Sequence, residues 1–444
     1  MSVSRHSAAR TAGSLTGSGL SQAPSADIAL VLEGTYPYAI GGVSTWVDDL
    51  IRAMPDVTFG VVHLHAGQCP ATSPFSRPAN VVWQRDLRLP DDLDEIDPRA
   101  LAARIPPARC VHALATGFAG QVGVALKVRT GTPLLLTEHG VYWYEIQEGA
   151  PELECGLRLH GQDLSDGNPC ANRTLWVDRF RLIARETYRM ADVITTVCEA
   201  NAALQRQLGA PDPVVIANGV RRPESTLPLT DDELATLHAS AREPAGLRIG
   251  LVGRVTPIKD IHAFVRAAAR VVEEMPETQF YVIGPTDDRE YAASVRTLAR
   301  RLRLADQFHL TGPQPAALWH RHLDIVALTS RSEAQPLALL EAMAHGRPVV
   351  APDVGGCLAL VTGEEGEPAG LIVTRPPDDL GLADIAPPMA DALLELARNP
   401  SQRAHMGRAG QLRTRERTVE AVAQRYRKIY RQLATPAFAS SVAA

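Results

Sequence analysis

Two glutamates eight positions apart, Glu333 and Glu341, bracket a proline in the run Ser332-Glu333-Ala334-Gln335-Pro336-Leu337-Ala338-Leu339-Leu340-Glu341. Pro336 suits the first position of a helix, where its missing N–H has no bond to lose and its fixed φ is already helical. No β-branched residue interrupts the stretch from Leu337 to His345, and Leu337, Leu340, Met343 and Ala344 should make one buried stripe. Helical side chains lean toward the N-terminus, so Glu341 aims its carboxylate back at the helix start. There it can accept hydrogen bonds from two neighbouring hydroxyls, as a ribose offers, while Glu333 in the preceding loop is placed to reach a sugar. The helix dipole accounts for one acid near a helix start but not for a pair around a proline.

Upstream, an apolar strand from Leu247 to Val252 runs into Gly253, Arg254, Val255, Thr256, Pro257, Ile258, Lys259 and Asp260, and a helical pattern begins at Ile261. This brings Arg254 and Lys259 to a strand-to-helix turn, where a diphosphate would also meet the positive end of a helix. Such a pair can neutralise a departing diphosphate without a metal, although charged residues in a turn are as often simply solvated. In the first half, Gly41 and Gly42 precede a helix and let backbone approach a phosphate or sugar closely. His139 follows the strand Leu134 to Glu138 and puts an imidazole at a strand's carboxyl end.

The elements that must position these residues alternate between short β-branched runs and longer amphipathic ones, the pattern of βαβ units and parallel sheets. Strands are expected at Ile28–Leu32, Thr58–His65, Cys110–Ala115, Leu134–Glu138, Asp192–Val197 and Val214–Ala217, with helices at Val43–Met54 and Phe118–Arg129. The pattern repeats at Leu247–Val252, Gln279–Ile283, Phe308–Leu310, Asp324–Leu328, Pro348–Ala351 and Leu371–Val373, followed by a short helix near Ala390 and a final one at Val419–Leu433. The implied organisation is a disordered tail (1–26), an α/β domain (27–220), a proline-containing linker (221–246), a second α/β domain (247–418) and a C-terminal segment (419–444) whose helix is free to return to the first domain. Two doubly wound sheets leave a cleft facing their carboxyl ends, where open α/β sheets bind ligands.

The chain's 444 residues are 45% hydrophobic, enough for two cores. A formal charge of −5, with Lys and Arg scattered, argues against a nucleic acid partner. The six cysteines, Cys69, Cys110, Cys155, Cys170, Cys198 and Cys357, form no Cys-x-x-Cys pair and are expected to be free thiols rather than zinc ligands or disulfides. The start of the chain lacks the apolar stretch of a secretory signal, and no run reaches membrane-spanning length, so a cytoplasmic location is expected, with peripheral docking to a membrane assembly complex left open.

Taken together, Glu333-x7-Glu341, the upstream Arg254-x4-Lys259 turn and the downstream Glu341-Ala342-Met343-Ala344-His345-Gly346-Arg347-Pro348-Val349-Val350 resemble the retaining, group 1 type (family 4) glycosyltransferases. The first half narrows the likeness. Leu32-Glu33-Gly34-Thr35-Tyr36-Pro37, Gly41-Gly42-Val43-Ser44-Thr45-Trp46, Ala113 to Gly120 and Leu136-Thr137-Glu138-His139-Gly140 look like the PelF-type transferases of exopolysaccharide synthesis. The resemblance implies the GT-B architecture, two Rossmann-like domains facing across a cleft, and transfer of a hexose, glucose from UDP-glucose, to a glycan or small-molecule acceptor. It implies that Arg254 and Lys259 hold the diphosphate, Glu341 the ribose and Glu333 the transferred sugar, with Gly41, Gly42, Pro336 and Leu337 around the donor and His139 in contact with the sugar. The chain departs from that pattern after Gly140, where Val141-Tyr142-Trp143-Tyr144-Glu145 opens a stretch running to Asn172. Its aromatics could stack on an acceptor or serve as packing.

The resemblance implies no cofactor and no metal, with the leaving phosphate taking the acceptor's proton on the same face. Asp92-Leu93-Asp94 resembles the Asp-x-Asp of metal-dependent transferases but follows no apolar strand. Glu333 as a covalent nucleophile is the weaker alternative, since glycosidases flank the bond with two carboxylates. A nicotinamide enzyme would show Gly-x-Gly-x-x-Gly after a first strand. A tailoring transferase acting on a natural product, and a catalytically silent nucleotide-sugar-binding subunit, use the same residues.

Overall fold

The computed structural model describes residues 24–90, 95–148, 169–224, 229–238, 246–286, 288–363, 366–376 and 384–434. The Asp92-Leu93-Asp94 stretch, most of the 141–172 segment and nearly all of the N-terminal tail lie outside them.

The first seven strands, β1 (Ala26–Glu33), β2 (Phe59–His65), β3 (Val81–Arg88), β4 (Ala108–Ala113), β5 (Leu134–Glu138), β6 (Val193–Thr196) and β7 (Val214–Val215), form one parallel sheet ordered β3-β2-β1-β4-β5-β6-β7. The next six, β8 (Arg248–Val252), β9 (Gln279–Ile283), β10 (Phe308–Gly312), β11 (Ile325–Ala327), β12 (Val349–Pro352) and β13 (Gly370–Val373), form a second, ordered β10-β9-β8-β11-β12-β13. Each sheet reverses its winding once, between β1 and β4 and between β8 and β11, and the crevice of such a sheet opens at that reversal. The loops after these four strands hold Gly41 and Gly42 (after β1), Gly117 (after β4), Arg254 and Lys259 (after β8), and Glu333 (after β11).

Four elements differ from the sequence reading. β3 was not expected. It is an edge strand, and its Gln84, Arg85, Asp86 and Arg88 break the apolar signature because one side meets solvent. The linker contains a helix, Asp231–His238, whose first turn is acidic as a helix start prefers. The short helix near Ala390 is a full one, Ala386–Arg398, followed by Pro400–Thr414.

The last helix, Val419–Leu433, packs on the first domain. Its Val422, Ala423, Tyr426, Tyr430 and Leu433 join one buried cluster with Ile28, Leu30, Trp46 and Leu50. The chain therefore crosses between sheets twice, and the crossings touch: Val220 N donates to Arg417 O at 2.8 Å, and a Cβ on Gly219 would stand 2.4 Å from Thr418 O.

Candidate active site

Beyond β8 the chain makes a short 3-10 turn, Pro257–Lys259, then Asp260 in the left-handed region (φ 45°), then the helix Ile261–Glu274. The Asp260 carboxylate accepts from Ala263 N at 3.4 Å, and the Tyr291 hydroxyl accepts from Ile261 N at 2.7 Å. Asp260 is buried and faces Arg331 and Arg375 at 3.4 and 3.8 Å. This corrects the expectation that a diphosphate meets this helix end: an acid already occupies it.

Lys259 turns the other way. Its Nζ donates to Glu333 Oε1 at 2.5 Å, and Ser330 Oγ donates to the same oxygen at 2.6 Å. The loops are laced together, Thr329 Oγ1 donating to Lys259 O at 2.9 Å and Arg331 N to Ile258 O at 2.9 Å. Arg254 is half-buried on the Lys259 loop. Behind Glu333 sits a turn the sequence reading passed over. Gly355 (φ 53°) would place a Cβ 1.5 Å from Glu333 O, and Gly356 N donates to Ala334 O at 2.6 Å. The Gly-Gly pair after β12 was the available signal.

The helix Leu337–Ala344 starts one residue later than predicted, with Pro336 as its N-cap, extended at ψ 118°. Leu339, Leu340, Ala342, Met343 and Ala344 are buried in the core, whereas Leu337, expected in that stripe, is half-buried at its edge and also lines a cavity of ≈ 450 Å³. Glu341 lines the same cavity, its Oε2 3.3 Å from His320 Nε2. Trp46, Asp49 and Arg221 line it from the first domain and the crossing. Arg254, Lys259 and Glu333 are not among its walls, so the stretch 333–337 joins a cationic loop on one side to the cavity on the other. Only the fold could bring Trp46, Asp49, Arg221 and His320 here.

In the first domain, Gly41 is the extended N-cap of the helix Gly42–Arg52. A Cβ on Gly41 would meet nothing within 4 Å, and one on Gly42 would stand 3.8 Å from Leu337 Cδ1, directly across the cleft. His139 lies beyond β5 with Trp46 edge-on at 4.5 Å. Its Nε2 is buried without a hydrogen-bond partner, and burial pushes its pKa down to about 4, so the ring is neutral near pH 7. The preceding Glu138 is wholly buried, accepting from Thr116 at 2.5 Å, Tyr188 at 2.5 Å and Gln205 at 2.7 Å, which fixes the end of β5. Burial raises its pKa against those three bonds. In the segment after Gly140, Tyr142 and Trp143 are buried and pack toward Phe180 and Arg181, so these two serve as packing.

The helices at the two reversals thus divide into two kinds. Glu33 Oε1 accepts from Ala119 N at 2.7 Å at the start of the helix Phe118–Thr130, and Asp260 caps Ile261–Glu274. At the starts of Gly42–Arg52 and Leu337–Ala344 the N-cap residues, Gly41 and Pro336, supply no side-chain acceptor. An uncapped helix start presents backbone N–H groups and positive potential to an anion.

Residues 246–399 match the family model of glycosyl transferases group 1. This match covers about a third of the chain. Residues 26–99 and 93–213 match a domain of unknown function, DUF3492. Among curated relatives, the D-inositol 3-phosphate glycosyltransferase of Kribbella flavida is 35% identical over 185 residues, 38% of this chain and 41% of that protein. Its counterpart in Segniliparus rotundus is 28% identical over 298 residues, 66% of this chain and 59% of that one. The chain thus spans about half the length of the curated relatives it matches. Among solved structures, sucrose-phosphate synthase from Thermosynechococcus elongatus superposes with a TM-score of 0.67 at 21% identity, covering 91% of this chain and 98% of that one. HepE of Anabaena in complex with UDP-glucose superposes with a TM-score of 0.65 at 17% identity, covering 91% and 99%. The fold is that of these structures, GT-B.

Proposed function

We propose that this chain is a group 1 glycosyltransferase, a retaining, metal-independent hexosyltransferase that takes UDP-glucose as donor. The observation that carries the reading is the pair of uncapped helix starts, at Gly42 and Leu337, facing one another beside the Arg254 and Lys259 loop. Three sources of positive potential then converge where a diphosphate would lie, while Glu33 and Asp260 put negative charge at the neighbouring helix starts. The nucleoside occupies the Glu341 cavity, its ribose hydroxyls donating to that carboxylate, and the pyrophosphate passes over Pro336 and Leu337 toward Lys259. Lys259 has three N–H donors and spends one on Glu333; Glu333 can accept several hydrogen bonds, so the pair positions each other and still serves phosphate and sugar.

In the transfer step the bond from the sugar's anomeric carbon to the β-phosphate oxygen breaks, a bond from the acceptor oxygen forms on the same face, and the acceptor's proton goes to the leaving phosphate. Arg254, Lys259 and the helix N–H groups stabilise the charge that develops on that phosphate. Neutral His139, walled by Trp46, offers the sugar a hydrogen bond without adding charge. The PelF-type resemblance favours a growing exopolysaccharide as acceptor. The names of the curated relatives support a second reading, a phosphorylated polyol. UDP-glucose complexes of HepE, alike in fold, support the choice of donor.

The test is a calorimetric and turnover panel of nucleotide sugars with the full chain, run with and without EDTA, followed by NMR of the product anomer. One UDP-hexose should bind, be hydrolysed slowly and give retained configuration with an accepted glycan. Failure of every nucleotide sugar to bind sinks the reading.

A further inference from the structure

We propose that His63, His65 and Cys69 form a binding site for a borderline-soft divalent cation, zinc first, at the carboxyl end of β2. The site is independent of the transfer chemistry proposed above. It rests first on position. Residues two apart on a strand share a face, and the two imidazoles stand parallel, centroids 5.2 Å apart and 12° between planes. Cys69 follows in the loop after β2, and one ligand atom from each of the three lies within 4.8 Å of the others. Among the described residues this is the one such group of three.

The surroundings fit a metal better than packing. His63 pairs in register with Asp86 on β3, whose Oδ1 is 3.2 Å from His63 Nδ1. A carboxylate on one imidazole nitrogen fixes the tautomer and leaves Nε2 to bind a metal, the arrangement found behind zinc-bound histidines. The Tyr38 hydroxyl donates to Asp86 Oδ2 at 3.0 Å, its ring lies 4.9 Å from that of His63, and Gln84 donates to the same hydroxyl at 3.0 Å. Asp86 is thus itself held in place. His65 is 9% exposed, its Nδ1 buried against the backbone of Ala66 and Gly67. Two imidazoles stacked face to face and largely shut off from water are held together more favourably by a shared cation than by packing alone. Two nitrogens and a thiolate are a zinc donor set, and three protein ligands leave a fourth position open.

Bonds of about 2.0–2.3 Å put tetrahedral ligand atoms roughly 3.3–3.7 Å apart, so the group closes by about 1 Å on metal binding. Cys69 is on a loop and supplies that movement. The consequence reaches the cleft. Farther along that loop, Ser73 Oγ donates to Pro37 O at 2.6 Å and Phe75 packs on Tyr36 at 5.3 Å, so the metal braces the turn that leads to Gly41 and Gly42.

The experiment uses the full chain without an affinity tag, freed of metal by dialysis against a chelator and titrated with Co²⁺. We expect one cobalt per chain with a tetrahedral spectrum and a thiolate charge-transfer band, displaced by zinc, and a rise in melting temperature with zinc. Cys69→Ser should lose the charge-transfer band, the His65→Ala/Cys69→Ser double variant should lose both uptake and the thermal shift, and Asp86→Asn should weaken affinity about 10–100-fold. Far-UV circular dichroism establishes that each variant is folded. A folded wild-type chain that shows no thiolate band, or a double variant that takes up metal as wild type does, overturns the site.

Discussion

Lys259 has two candidate employments, partner to Glu333 and ligand to a diphosphate, and one set of four proteins separates them. The pair's side chains are 19% and 11% exposed, between the buried and the open case. Removing one member of a buried pair costs about 3–5 kcal/mol and of an exposed pair about 0–1 kcal/mol, so Lys259→Met should cost about 2 kcal/mol, chiefly the stranding of Glu333 with only the Ser330 hydroxyl. In a domain of this size that is about 4–8 °C of melting temperature. Adding Glu333→Gln removes the stranded charge while an amide keeps the Ser330 bond, so the double variant should regain most of the loss. Binding should behave differently. A charge-assisted contact to phosphate contributes about 1.5–3 kcal/mol, so UDP should bind about 10–150-fold more weakly to both Lys259→Met and the double variant. Melting curves and calorimetric UDP titrations on wild type, the two single variants and the double variant read both quantities. A double variant that binds UDP within about two-fold of wild type would refute the phosphate role and leave Lys259 as a structural partner.

Glu341→Ala should weaken UDP about 10–100-fold by calorimetry, through lost ribose hydrogen bonds, yet shift the melting temperature by less than about 2 °C because this side chain is 30% exposed at the cavity. Gly355→Ala should cost about 2–4 kcal/mol in urea unfolding, since its φ of 53° is strained for alanine and its Cβ would strike Glu333 O, whereas Gly41→Ala, with space around it, should stay within about 1 kcal/mol; equal costs would contradict the loop geometry. His112 is wholly buried between the Tyr430 hydroxyl and Thr137 Oγ1, both at 2.7 Å, and burial pushes its pKa down to about 3. The folded state keeps it neutral while the unfolded chain protonates near pH 6.5, so stability is full above that pH and falls as the pH drops toward 3, by about 2.7 kcal/mol at pH 4.5 from this group alone. His112→Gln should release about one proton's worth of that slope between pH 6 and 4.5, and an unchanged slope in pH-dependent urea unfolding would contradict it.

Local pattern exposed the two sheets because buried parallel strands are continuous apolar runs, as β1 and β2 are, and because Gly and Pro punctuate them. It failed where sequence and solvent are in balance. β3 is charged because it is an edge, and the helix Asp231–His238 is polar on a surface, so neither announces itself. The helix Ala386–Arg398 begins with Pro387 and Pro388, which a helix accepts in its first turn but which read as a loop. The pairing of Lys259 with Glu333 and the facing of Gly42 and Leu337 were within reach only as residues after strands. That Leu337 faces the cleft while Leu340 is buried depends on where the helix starts, and a shift of one residue turns its faces by about 100°. Asp260, directly before the Ile261 helix, was a legible N-cap, whereas the bond from Ala119 to Glu33, 86 residues away, was out of reach because only the folded sheet defines it.

The crossing between the domains bears directly on how the site would close. Both passages of the chain lie side by side at Val220 and Thr418, so a rotation of one sheet against the other has its axis near these residues. The final helix belongs to the second passage but is buried in the first domain, so it travels with that domain and the bend must fall before Val419 rather than after it. Asn218, on the first passage, donates its N–H to Gln335 Oε1 at 2.5 Å and its amide to Gln335 O at 3.0 Å. Gln335 lies between Glu333 and the start of the Leu337 helix. A rotation about the crossing must therefore either carry this stretch along or break two buried hydrogen bonds, and the first course moves Glu333 and Leu337 relative to Gly42 as one piece. The hinge is tied to the residues proposed to hold the sugar, so the site's geometry and the opening of the cleft are not independent.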